Sequence, residues 1–124
     1  MRKAVIYARF SSDKQTEDSI EAQVRACREY AGSHGFSIVE IYADEAVSGK
    51  GSKTAQRRQY QRLLRDCDKG TFDTILIHKY DRIARSLGEH VNLEARLKEK
   101  GVQLIATAQD FGNTNEAKIM RALM

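Results

Sequence analysis

The sequence predicts an α/β domain in three layers, with a mostly parallel sheet of four to five strands flanked by helices. Four short apolar runs of strand length alternate along the chain with segments whose apolar residues recur at helical spacing. Such alternation is typical of parallel strands joined by helical crossovers, which cover both faces of the sheet. In sheets of this kind, functional residues gather at the carboxyl ends of the strands.

The predicted elements follow one another as strand and helix. The strands are expected over residues 3–8, 36–42, 72–77 and 102–106. The helices are expected from residue 19 until Gly32 and Gly35 stop the pattern, over residues 57–69 and 86–100, and from Asn115 onward. Asp18 and Ser19 are the candidate N-caps of the first helix. The polar stretch of residues 45–56 lacks apolar periodicity and is expected to be the most mobile loop.

The length of 124 residues fits a single domain over residues 1–124 with one core. The helix that starts near residue 115 stops inside its pattern at Met124 without a C-cap, so we expect a piece of a longer protein. Cys27 and Cys67 lack disulfide or metal-ligand spacing, which indicates reduced thiols in a cytoplasmic protein. No apolar run is long enough for a signal peptide or a membrane span, so no membrane partner is expected.

Charged and polar residues follow three of the predicted strands. Lys and Arg number 21 against 17 Asp and Glu, and the net charge of +4 permits a polyanionic partner without requiring one. The strand ends carry Arg9 and Ser11, then Asp44, then Asp81, Arg82 and Arg85. Arg82 and Arg85 are three apart, so one helical turn would present both to a phosphate. The alternative is that Asp81 caps the next helix and both arginines are solvated surface residues.

Ser11 is the candidate nucleophile. None of the histidines, His34, His78 and His90, accompanies a hydrolase motif, and the Gly-x-Ser-x-Gly turn is absent, so an acyl-transfer triad is not expected. Phosphoryl transfer asks mainly for positioning and for cations around the oxygens that gather charge. The nearby arginines can supply those cations.

Three motifs resemble those of the resolvase/invertase family of serine recombinases. They are residues 7–15 with residues 19–23, residues 79–86 with their Asp-Arg-x-x-Arg core, and the segment from Asp44 through Ser48-Gly49 to Arg57. The resemblance covers nearly the whole chain. Phe10 and the long loop before Arg57 resemble the large serine recombinases more than the small resolvases.

The resemblance implies that Ser11 attacks a DNA phosphodiester, forms a 5′-phosphoserine link and frees a 3′-hydroxyl. The catalytic set it implies is Ser11, Arg9, Arg57, Arg82, Arg85, Asp81, Gln15 and Gln23. The arginines would surround the phosphate, the glutamines would orient the loop or contact oxygens, and Asp81 would hold an arginine and is a candidate proton relay. Ser12 and Arg58 are the competing neighbours. The family's spacing after its first arginine favours Ser11, and the apolar residues that follow favour Arg57.

The resemblance further implies DNA as the partner, homodimers that pair into synaptic homotetramers, and a cytoplasmic location, at the nucleoid when bound to DNA. The family's DNA-binding domain is absent from this sequence, and weak or altered self-association is expected of the chain alone. No metal and no nucleotide or other cofactor is implied. Residues 49–54 lack the Gly-Lys-Ser/Thr ending, at the required spacing, of a phosphate-binding loop.

Two other classes of function stay open. The first is a Mg²⁺-dependent phosphoesterase or receiver-like domain with Asp44 and Asp81 as ligands, which predicts EDTA-sensitive activity and leaves the arginines unexplained. The second is a non-catalytic module that binds DNA or a protein. The complete set of family residues argues against that second class.

Overall fold

The computed structural model describes residues 2–11, 19–46, 57–84 and 86–108. Its elements are β1 (Arg2–Ser11), α1 (Ile20–His34), β2 (Phe36–Ala46), α2 (Arg58–Cys67), β3 (Thr74–Ile77), a 3₁₀ turn (Tyr80–Arg82), α3 (Leu87–Glu99) and β4 (Gln103–Ala106). The helix predicted from Asn115 and residues 47–56 of the predicted mobile loop lie outside the described residues, while residues 45 and 46 of that loop belong to β2. None of the helices in the described residues could span a membrane.

The four described strands form one sheet in the order β2-β1-β3-β4, and every neighbouring pair is parallel. Strand β1 is therefore central, between β2 and β3. The predicted parallel sheet of the α/β class is confirmed. Because all the strands run the same way, their carboxyl ends share one edge of the sheet.

The first two strands are longer than the sequence predicts. Strand β1 continues past Ala8 to Ser11, and β2 continues past Tyr42 to Ala46. The added residues pair in register, Arg9 with Asp44. The predicted boundaries were wrong here because backbone pairing continues into polar residues at the edge of a sheet, where apolar patterning no longer marks a strand.

The core lies on both faces of the sheet. Val5 and Tyr7 pack in the cluster that also contains buried residues of α2 and α3. Ala4 and Ile6 pack in a second cluster with residues of α1. Successive side chains of a strand point to opposite faces, so this split places α1 on one side and α2 with α3 on the other. The three predicted layers are confirmed.

The sequence predicted the start of α1 correctly. Of the two glycines predicted to end the helix, only one does so. The Ser19 hydroxyl accepts from the backbone N–H of Ala22 over 3.1 Å and caps α1. Gly35, with φ of +76°, is the C-cap, where glycine avoids the strain of a left-handed backbone. Gly32 lies within the helix, so the prediction that it stops the pattern was wrong: a single glycine costs only about 1 kcal/mol in a helix. Both cysteines are free thiols, as predicted.

Candidate active site

Three polar segments meet at the carboxyl edge of the sheet. Arg9 is near the end of β1, Asp44 is its register partner on β2, and the 3₁₀ turn follows β3. The backbone of Ser11 ends β1 and pairs with Ala46, while its side chain is outside what the structure describes. Gln15 and Arg85, two further residues of the predicted set, lie outside the described residues.

The backbone carbonyls of the 3₁₀ turn and of Ile83, which follows it, accept hydrogen bonds from arginines in other parts of the chain. Arg9 donates from Nη2 to the Asp81 carbonyl and from Nε to the Arg82 carbonyl, both over 3.3 Å. Arg57 donates from Nη2 to the Ile83 carbonyl over 2.5 Å. Three successive carbonyls therefore hold two guanidinium groups that are far apart in the sequence.

Arg82 contributes a third positive charge from the turn itself. Its side chain is only 5% exposed, and its Nη1 lies 2.9 Å from Asp81 Oδ1. Ser86, not Asp81, caps α3. Thus the alternative of a helix-capping Asp81 beside a solvated Arg82 was wrong, because the turn after β3 folds Arg82 inward and Asp81 compensates its charge.

Gln23 is fully buried and holds the backbone of Arg9. Its Oε1 accepts from the Arg9 N–H over 3.1 Å, and its Nε2 donates to the Arg9 carbonyl over 2.9 Å. The side-chain amide thus bonds one residue of β1 as a neighbouring strand would. It anchors the strand two residues before Ser11.

Arg57 is held at the start of α2. Its side chain is 13% exposed, its Nη1 lies 2.8 Å from Glu89 Oε1, and its guanidinium carbon lies 3.9 Å from the centre of the Tyr60 ring. Burial lowers the pKa of Arg57, but the Glu89 hydrogen bond and the nearby Tyr7 more than offset it, leaving the pKa above its ordinary value. By contrast, Arg58 is exposed.

Asp44 holds together the elements that carry the site and does not itself line the site. The carboxylate is buried and accepts from the Tyr7 hydroxyl over 2.8 Å and from the backbone N–H groups of Gln59 and Tyr60 over 2.9 and 3.0 Å. It therefore caps α2, whose own N-cap residue, Arg57, makes no capping side-chain hydrogen bond. Burial and the neighbouring Asp44 raise the pKa of Tyr7 above its ordinary range.

Asp44 and Asp81 have separate roles, which disfavours the magnesium alternative. Asp44 is engaged by three donors, and Asp81 is paired with Arg82. Among residues 2–11, 19–46, 57–84 and 86–108, no group of three or more His, Cys, Asp or Glu side chains is placed to hold a metal ion. The described edge is a cluster of cations instead.

Glu89 is the residue that the sequence analysis missed. Its only local signal is the pattern Ser-x-x-Glu at residues 86–89, which is typical of a capping box. One of the two hydrogen bonds of a capping box forms, since the Ser86 hydroxyl accepts from the Glu89 N–H over 3.1 Å. The Glu89 carboxylate, however, contacts Arg57, so the pattern alone would have assigned it to its own helix.

The chain matches known proteins over most of its length. The family model of the resolvase N-terminal domain matches residues 4–124. A putative DNA recombinase of Bacillus subtilis (strain 168) is 29% identical over 120 residues, which cover 95% of this chain and 23% of that protein. The transposon Tn501 resolvase of Pseudomonas aeruginosa is 32% identical over 87 residues, 70% of this chain and 44% of that protein.

Solved structures share the fold. A resolvase family site-specific recombinase from Streptococcus pneumoniae has a TM-score of 0.79 at 26% identity, covering 99% of this chain and 83% of that chain. The N-terminal catalytic domain of TP901-1 integrase has a TM-score of 0.74 at 25% identity, covering 98% and 91%. The four-stranded parallel sheet flanked by three helices is thus the fold of a serine recombinase catalytic domain. The chain belongs to the resolvase N-terminal domain family, and it spans less than half the length of the curated relatives it matches.

Proposed function

We propose that this chain is the catalytic domain of a serine site-specific DNA recombinase. The Ser11 oxygen would form a bond to the scissile phosphorus as the bond from phosphorus to the 3′ oxygen breaks, leaving a 5′-phosphoserine and a 3′-hydroxyl. The observation that supports this most is the convergence of Arg9, Arg57 and Arg82 on one turn, at the edge where the backbone of Ser11 ends β1.

The arginine cluster suits phosphoryl transfer. The transition state spreads negative charge over the phosphate oxygens, and guanidinium groups offer several donors in a fixed plane. Donors that are already held in place cost little reorganisation during the reaction. Arg9 and Arg57 are held by backbone carbonyls, and Arg82 is held by Asp81.

The remaining residues of the proposed set have supporting roles. Gln23 would orient the end of β1, a role supported by its two hydrogen bonds to Arg9. Arg85 would join the arginines around the phosphate, and Gln15 would orient the loop after β1 or contact phosphate oxygens. Asp81 would hold Arg82 and is the candidate for relaying a proton.

The proposal includes the partners of the reaction. DNA is the substrate, and the active form is a homodimer that pairs into a synaptic homotetramer. No nucleotide is hydrolysed, since one phosphoester replaces another, and no metal is required. The protein would act in the cytoplasm, at the nucleoid when bound to DNA. Because the chain spans less than half of its curated relatives, we place DNA reading outside residues 1–124.

A covalent-trapping experiment tests the proposal. The complete protein that contains this chain is incubated with a suicide DNA duplex that carries its recombination site and releases a short strand after cleavage. The expected result is a protein–DNA adduct at the Ser11 peptide, absent in Ser11→Ala and present in the neighbouring control Ser12→Ala. An adduct that survives in Ser11→Ala would contradict the proposal.

A further inference from the structure

The pair formed by Arg57 and Glu89 joins the start of α2 to the first turn of α3. Arg57 Nη1 donates to Glu89 Oε1 over 2.8 Å, across 32 positions of sequence. We infer that Glu89 is a positioning residue, which acts on DNA cleavage by fixing the guanidinium of Arg57. The inference rests on the proposed function.

The contacts around Arg57 fix the plane of its guanidinium. Glu89 accepts from one terminal nitrogen, and the carbonyl of Ile83, just after the 3₁₀ turn, accepts from the other. The ring of Tyr60 covers one face at 3.9 Å. Two acceptors on different nitrogens define an orientation that a single acceptor leaves free to rotate. Removing the carboxylate of Glu89 would leave one acceptor and the ring.

This arrangement leaves donors for a phosphate. An arginine carries five N–H groups, and Glu89 and Ile83 each use one. The Nε of Arg57 is buried and has no hydrogen-bond partner among the described residues. The N–H groups of Arg57 that these two contacts leave unused can donate to an anionic oxygen. Glu89 therefore orients the group without occupying all of it.

Glu94 is a second acidic residue on α3, and its position there does not bring it into contact with Arg57. Its side chain is 32% exposed, against 33% for Glu89, and both lie on the same helix. The described contact of Glu94 is with His90, at 3.5 Å from Nε2. Glu94 is therefore a matched control: it has the same chemistry and exposure but no contact with Arg57.

The test is a double-mutant cycle on the single-turnover cleavage rate of the complete protein, with DNA affinity measured alongside. Glu89→Gln keeps the shape of the side chain and removes its charge. We expect it to slow cleavage roughly tenfold to a hundredfold with DNA affinity unchanged, while Glu94→Gln stays within about twofold of the wild type. In the Arg57→Ala background, Glu89→Gln should cause no further loss. A variant that merely folds poorly would lose rate in both backgrounds and would lose DNA affinity.

Three results would overturn the inference. A faster Glu89→Gln variant would mean that the carboxylate restrains Arg57, and losses that add in the double variant would mean that Glu89 acts elsewhere. The inference also fails if Glu89→Gln cleaves at the wild-type rate while Arg57→Ala is slow; the proposed function then survives. If cleavage persists in Ser11→Ala, the proposed function fails with it.

Discussion

The hydroxyl of Tyr7 on β1 donates to the buried carboxylate of Asp44 on β2 over 2.8 Å, and the same carboxylate caps α2. One side chain thus ties together two neighbouring strands and the helix that begins beside Arg57. Since a helix moves as a rigid unit, the hold on its first turn also sets where Arg57 leaves the backbone. Stability and site geometry share this network.

Replacing Asp44 should therefore destabilise the domain. Asp44→Ala leaves the Tyr7 hydroxyl and two backbone N–H groups without their acceptor. The loss of a cap and of a buried hydrogen bond predicts a fall of about 2–4 kcal/mol in the free energy of unfolding. Urea denaturation of the purified chain measures it. Tyr7→Phe, which removes one donor and keeps the cap, should cost about 1–2 kcal/mol.

Asp68 provides the control for Asp44. Its side chain is 52% exposed and faces Lys100 at 3.3 Å, an ion pair of the kind that contributes little. Asp68→Ala should change the free energy of unfolding by less than about 0.5 kcal/mol. Equal effects of Asp44→Ala and Asp68→Ala would show that the capping network does not stabilise the fold.

Gln23 should affect both stability and cleavage. Gln23→Leu keeps the volume and removes both hydrogen bonds to the backbone of Arg9, so we expect a loss of about 2–3 kcal/mol in urea denaturation. Cleavage by the complete protein should also slow, because the freed backbone precedes Ser11. Gln61→Leu, at an exposed position of α2, is the control and should change neither quantity. Identical stabilities of the two variants would contradict a stabilising role for the hydrogen bonds from Gln23 to the Arg9 backbone.

Local sequence patterns predicted the strands and helices. They could not predict contacts between residues that are far apart in the sequence. Apolar alternation and the Ser19 cap are properties of neighbours in sequence, so they were readable. Asp44 meets the start of α2 across 15 positions, and Glu89 meets Arg57 across 32, which no periodicity records. The family resemblance named most of the candidate site, but it assigned Asp44 no partner and did not mention Glu89.

Asp66 should make stability depend on acid pH. The Tyr42 hydroxyl donates to it over 2.6 Å and Lys69 lies 3.2 Å away, and these contacts hold the pKa of Asp66 below its ordinary value of 3.8. A carboxylate whose pKa is lower in the folded state contributes stability above the unfolded pKa and loses it as the pH falls through the folded pKa. Asp66→Asn should thus cost about 1 kcal/mol near pH 7.

A pH series of urea denaturation checks the sign. The difference between wild type and Asp66→Asn should be constant above about pH 5 and shrink below about pH 4. In a Tyr42→Phe background the dependence should weaken, since the strongest cause of the lowered pKa is gone. A difference that stays constant down to acid pH would mean that Asp66 titrates alike in the folded and unfolded chain.

DNA cleavage by the complete protein should continue in excess EDTA. The charge that develops on the phosphate would be met by Arg9, Arg57 and Arg82, while the carboxylates on which a divalent ion would depend are already committed to the α2 cap and to Arg82. A metal-dependent restriction enzyme in the same tube confirms that chelation is complete. If EDTA abolished adduct formation, Mg²⁺ restored it and Asp44→Asn blocked that rescue, the carboxylates would be metal ligands and the magnesium alternative would replace the arginine mechanism.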